Sequence, residues 1–213
     1  NVEKFEKLLK KDFFRNKINY KSYPSLEAQV ASISDDIAYN NHDLEDGLRA
    51  GLFTIEKISK LTFLSKLVKK HLKNSKRFRK EIIISNIVRD LINQMVIDVI
   101  NTTKKNIKKY NPQSLNDIYN QDSMIVNFSN KMKYTDMQIK TFLKKNMYNH
   151  KNVIVNTNKG KIIISKLFKY LIKNYKKHVH KDLFINEKKE RVIADFIAGM
   201  TDRYAIKLHK KIK

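Results

Sequence analysis

Between residues 25 and 52 the sequence reads SLEAQVASISDDIAYNNHDLEDGLRAGL, and here the side chains capable of chemistry are spaced to act together. At about 100° per residue, a helix puts Leu26, Val30, Ile33, Ile37, Leu44 and Leu48 on one side. Asp35, Tyr39, His42, Asp43 and Asp46 fall on the other, at i, i+4, i+7, i+8 and i+11. Three carboxylates, an imidazole and a phenol on one face make an oxygen-rich site, which suits a hard divalent cation such as Mg2+ or Mn2+. The plainer reading is a solvated polar face. Against it, the face is acidic in a strongly basic chain. Like charges one turn apart on a helix, as Asp43 and Asp46 are, also repel by about 0.2–0.5 kcal/mol per close pair unless a cation or bound substrate offsets them.

Helices must position these groups. The chain has 213 residues with only four Gly and two Pro, and its apolar residues recur every three or four positions, which predicts an all-α protein. The predicted helices are 2–17, with Val2, Phe5, Leu8, Leu9 and Phe13 on one face, then Leu26–Arg49 after the break at Pro24, then Thr54–Leu72. A long apolar helix over Arg79–Thr103 follows, its Ile83, Ile87, Leu91, Met95 and Val99 marking it as central and buried. Residues 104–135 are polar and contain Pro112, so they read as a loop with short helical pieces. Thr135–Met147, Lys161–Tyr175 and Glu187–Lys211 are predicted helical, and the β-branched Val153–Asn158 is a strand or a connector. With no internal repeat and no low-complexity linker, residues 1–213 read as one all-helical unit.

Composition narrows the function classes. There is no cysteine, which excludes disulfides and thiolate metal sites. No run of about 18 apolar residues occurs and no secretory signal opens the chain, so a cytoplasmic protein without a membrane span is expected. The net charge of +24 fits either a nucleic-acid partner or the Lys-, Asn- and Ile-rich usage of an AT-rich genome. His178 and His180 with Asp182 form a weak metal-spaced cluster, which Lys176, Lys177 and Lys181 argue against. Arg77, Arg79 and Lys80, at the head of the long helix, are candidate phosphate contacts or simply a basic helix start.

Ser25 to Gly51 resemble the late HD-domain helix of the deoxyguanosine-triphosphate triphosphohydrolase-like family. That helix reads S-L-E-A-Q-V, four variable residues, D, D or E, I-A-Y, two variable residues and H-D, then closes D-G-L-R and a small residue before G. Residues 125–128 with Ser129, KTFLKKNMYNHKNV at 140–153 and ADFIAGMTDRYAIKL at 194–208 are similar to the family's later helices. The resemblance implies the C-terminal portion of an HD-type helical bundle, with late HD-domain helices over about 1–103 and a C-terminal helical region over about 104–213. It implies hydrolysis of a deoxynucleoside triphosphate to deoxynucleoside and tripolyphosphate, with a divalent metal activating water. Asp35, which opens D-D-I-A-Y, corresponds to the superfamily's last metal ligand. Tyr39 corresponds to the tyrosine packed against the deoxyribose near C2′, and Asp43 to the carboxylate that accepts from the sugar 3′-hydroxyl. Where some relatives carry a phosphate-touching Lys, this chain has Asp36, so phosphate contacts must come from elsewhere.

The superfamily's first His and its His-Asp pair belong to segments R-L-T-H-S-L-E-V and H-D-L-G-H-P-P-F-G-H, and neither segment is in this sequence. His42-Asp43 spells an HD pair but sits on the later helix. One Asp does not hold a catalytic metal, which takes about three protein ligands, so the chain by itself is expected to be inactive. Asn1 in place of Met fits a truncated chain, a split gene whose upstream half supplies the ligands in trans, or a remnant. The resemblance also implies a homo-oligomer, with Arg203 structural or at an oligomer contact. Single-stranded nucleic acid is a further expected partner that the surplus charge would serve, though no spacing marks a place for it. The alternative to the hydrolase is a non-catalytic basic helical module that binds nucleotide or nucleic acid.

Overall fold

A computed structural model describes residues 22–73, 78–180 and 187–212, and within them every regular element is a helix. The expected helix over 2–17, Arg77, Lys181 and Asp182 lie outside the described residues. The chain divides into two compact units, residues 1–147 and 148–213.

In the first unit α1 spans Leu26–Arg49, α2 Ile55–Ile58, α3 Thr62–Leu72, α4 Lys80–Tyr110, α5 Leu115–Tyr119 and α6 Asn130–Leu143. α4 is the centre. Ile84, Ile87, Leu91, Met95 and Val99 recur at three- and four-residue steps and are buried along one stripe. Leu44 and Leu48 of α1, Leu64 and Val68 of α3, and Ile139 and Leu143 of α6 complete this core. α4 runs seven residues past the predicted Thr103. It stops at Asn111, whose left-handed φ of 43° precedes Pro112. A proline disfavours helical geometry in the residue before it, so Pro112 ends this helix.

The stretch expected as one helix over Thr54–Leu72 is two: the turn that Thr54 caps ends at Ser59, and Leu61 takes an extended backbone before the chain restarts at Thr62. α6 starts at Asn130, not Thr135. Ser129 caps it by accepting from Met132 N, and is itself held by Asp98 through its backbone N (2.8 Å) and its hydroxyl (2.7 Å). A π-helical turn, Lys144–Tyr148, follows α6.

In the second unit α7 spans Lys151–Asn174, followed by a 3-10 turn at Tyr175–Lys177, α8 at Lys189–Ala198 and α9 at Asp202–Lys211. Val153–Asn158 is neither strand nor connector but the first turns of α7. Helical hydrogen bonding outweighs the weak preference of β-branched residues for strands. The expected helix over Glu187–Lys211 is broken at Gly199, and Thr201 caps the new helix by accepting from Tyr204 N. Leu167, Leu171, Ile193, Ile197, Ala205 and Leu208 form this unit's core.

Candidate functional site

α1 begins and ends where the motif does. Ser25 caps its start and accepts from Ala28 N at 3.4 Å. Gly51, at φ +69°, turns the chain out, and Leu52 N donates to Gly47 O. Gly47 is needed for space. A Cβ there would run into the ring of Phe53, which packs edge-on against Phe142 with centroids 4.9 Å apart.

One flank of the helix is locked to α6 and the segment before it. The Gln29 side chain donates to Pro24 O (2.8 Å) and accepts from Val126 N (3.0 Å). Buried Asn40 donates to Asp136 of α6 at 3.1 Å. Lys140 bridges Asp136 (2.9 Å) and Asp36 (3.1 Å). Burial alone would lower the Lys140 pKa, but its bonds to the two carboxylates outweigh that and hold it above the usual lysine range. The other flank faces α4. Asn41 donates to Ile37 O and Met95 Sδ, and Glu45 takes Arg49 and the Ser85 hydroxyl. Burial works to raise the Glu45 pKa, yet Arg49 and Ser85 keep it below the ordinary carboxylate range.

Between these flanks lies the front that the spacing predicts. Asp35, His42 and Asp46 are exposed, Tyr39 is 58% exposed, and Asp43 is half-buried. The predicted apolar back is buried at Ile37, Leu44 and Leu48, but Val30 is 47% exposed and lines a shallow apolar groove with Ile33, Val96 and Ile100. The fixed flanks set the rotation of α1 and so hold Asp35, Tyr39 and Asp43 on one open face. Sequence reasoning missed Lys140. The line Gln29, Asp36, Asn40, Gly47 at i, i+7, i+11 and i+18 shares one side of α1 and could mark a packed seam there, but nothing in it points to the partner on α6.

Among the described residues no three metal-capable side chains come together. His178 instead meets the Tyr170 hydroxyl at 3.3 Å, with the two rings edge-on. Arg79 is the N-cap residue of α4 and Lys80 opens it, both exposed, while Arg203 is exposed on α9.

Comparison with known proteins places the chain by its sequence. Residues 126–211 match the phosphohydrolase-associated domain. A deoxyguanosinetriphosphate triphosphohydrolase-like protein of Pelagibacter ubique is 47% identical over 93% of this chain and 53% of its own length. The chain belongs to this family. Proteins of the same name from Agrobacterium fabrum and Thiobacillus denitrificans are 38% and 34% identical, each over 90% of this chain and 49% and 51% of their own lengths. The chain spans about half the length of these curated relatives and corresponds to the C-terminal portion of the triphosphohydrolase-like family. Its all-helical build is that of an HD-type bundle. No helix among the described residues is long and apolar enough to cross a membrane.

Proposed function

We propose that this chain supplies the late-helix side of a deoxynucleoside-triphosphate triphosphohydrolase site, where a dNTP and water give a deoxynucleoside and tripolyphosphate. Asp35 is one ligand of a divalent metal, Mg2+ or Mn2+. Tyr39 packs against the deoxyribose near C2′, where a ribose hydroxyl would clash, and Asp43 accepts from the 3′-hydroxyl. The observation that carries this reading is that all three stand on one open face of a helix whose two flanks are fixed by side-chain contacts. A surface helix with no task would gain nothing from concentrating acids there in a chain of net charge +24.

The described residues do not by themselves make a divalent-metal site. The remaining ligands are assigned to an N-terminal half, joined to this one or acting in trans. Exposed Ile154, Val155, Ile162 and Ile164 on α7 support a homo-oligomer as the assembled form. The second reading, a non-catalytic basic module for nucleotide or nucleic acid, is favoured by a lysine-lined groove in the first unit.

The test is tripolyphosphate release from dGTP with Mn2+, by this chain alone and mixed with the N-terminal half of a full-length relative. Release only in the mixture is expected. Release by the chain alone would overturn the assignment of the missing ligands, and release in neither would favour the binding module.

A further inference from the structure

The substrate proposed for the α1 front is a polyanion, and the front itself is made of acids. Asp35, Asp43 and Asp46 repel a triphosphate, so a cation besides the metal must face its phosphates. Arg49 is ion-paired to α1 through Glu45. It stands fourteen residues from Asp35, roughly 20 Å along the helix. Lys140 of α6 is instead bonded to Asp36, the residue next to Asp35.

Two bonds locate the Lys140 ammonium along α1. One goes to Asp36 at 3.1 Å and the other to Asp136 at 2.9 Å, and Asp136 in turn accepts from Asn40 at 3.1 Å. The ammonium therefore lies at the α6 rim of the turn from Asp36 to Asn40, which carries Tyr39. Release of a deoxynucleoside and tripolyphosphate breaks the link between the sugar and the first phosphate. With a metal at Asp35 and the sugar against Tyr39, that link falls along the same turn.

The two bonds differ in how readily they exchange. Asp136 has 11% of its side chain exposed and fixes the lysine stem, whereas Asp36 has 60% exposed. An ion pair open to water is weak, so the bond to Asp36 is the one that gives way. A lysine ammonium has three rotatable donors, and the two carboxylates occupy two of them. A phosphoryl oxygen can take the place of Asp36 without drawing Lys140 off Asp136.

We infer that Lys140 contacts the first phosphate of the bound dNTP, passing its outer bond from Asp36 to a phosphoryl oxygen, an assignment that rests on the hydrolase reading of the α1 front. Lys140 lies within residues 126–211, so the phosphohydrolase-associated domain contributes a side chain to the site and does not merely pack against it.

The test uses the assembled enzyme, this chain joined to the N-terminal half of a full-length relative, and reads kcat/KM for dGTP and GTP together with bound Mn2+. Lys140→Met is expected to lower kcat/KM for dGTP on the order of 100-fold, with the dGTP-to-GTP preference and the metal content within ~2-fold of the parent. Lys108→Met, an equal charge loss in the last turn of α4, changes kcat/KM less than ~3-fold. Asp36→Asn removes the competing carboxylate and raises kcat/KM by up to ~5-fold, a gain that is lost in the Lys140→Met background. Lys140→Met strands the buried Asp136, so Lys140→Met with Asp136→Asn is measured beside it and shows the same loss with no unpaired carboxylate left inside. A parent assembly that releases no tripolyphosphate overturns the hydrolase reading and this assignment with it. In an active assembly, three results would each overturn the contact alone: unchanged kcat/KM in Lys140→Met, a dGTP preference that falls along with the rate, or a gain from Asp36→Asn that persists without Lys140.

Discussion

At the scale of the residue, Asp35, Tyr39 and Asp43 differ in what their removal should do. Asp35 is exposed on α1 and serves no packing purpose there, so Asp35→Asn should leave the thermal unfolding of this chain within about 0.5 kcal/mol of the parent. In the assembled enzyme the same change should abolish stoichiometric Mn2+. It should also lower turnover by more than the roughly 10–100-fold that loss of an outer-shell partner costs. Full metal content in that variant would remove Asp35 from the ligand set. Tyr39→Ala should relax the preference for dGTP over GTP by up to about 100-fold, the scale on which a pocket rejects one added hydroxyl. An unchanged ratio would refute the sugar-gate role. Helical periodicity makes legible the face that this trio shares with His42 and Asp46, and the family resemblance is what singles the three out. Lys140 was not legible, because it lies 104 residues from its partner Asp36 and only the packing of α6 on α1 brings the two together.

At the scale of the element, α1 must hold one rotation for its front to be a site, and Gly47 and the Asn40 seam enforce that. Gly47→Ala gains up to about 1 kcal/mol of helix propensity, but the new methyl meets the Phe53 ring, which Phe142 backs from behind. Overpacking of this kind costs roughly 1–3 kcal/mol, so a net loss of about 1–2 kcal/mol and a melting point lower by several degrees is expected. A Gly47→Ala chain that melts no lower would mean the ring moves aside freely. The spacing of Ile87, Leu91, Met95 and Val99 announces α4 as the buried centre, since a four-step stripe over thirteen residues is longer than the usual strand. Boundaries were harder. The end of α4 depends on the left-handed turn at Asn111, and the break before α3 on the extended backbone of Leu61; both are local backbone choices that apolar periodicity does not see. The first turns of α7 show the same limit. VIVN resembles a strand, but its residues continue the helix that carries Leu167 and Leu171.

At the scale of the molecule, charge is the dominant variable. The 45 Lys and Arg residues are opposed by only 21 carboxylates, so self-repulsion already opposes the folded state at neutral pH and grows as acid removes the opposing charges. Asp90 sharpens this response. Lys70 first, then His71, hydrogen-bond its carboxyl and hold it below the ordinary aspartate range, with burial as a smaller opposing effect. The pair ties the last turn of α3 to the middle of α4, one wall of the lysine groove. A carboxyl whose pKa is lower folded than unfolded contributes stability above its unfolded pKa, and that stability is lost as pH falls through the folded value. Glu45 acts in the same direction through Arg49 and Ser85. Thermal unfolding between pH 7 and pH 3 should therefore show a melting point that falls steeply below about pH 4 and partly recovers in added salt, which screens the repulsion. Asp90→Asn should lower the melting point at pH 7 and flatten part of the acid limb, because the group that must be protonated is already neutral. Parallel limbs for the two proteins would show that the α3–α4 tie does not carry the response, and a limb insensitive to salt would show that net charge does not either.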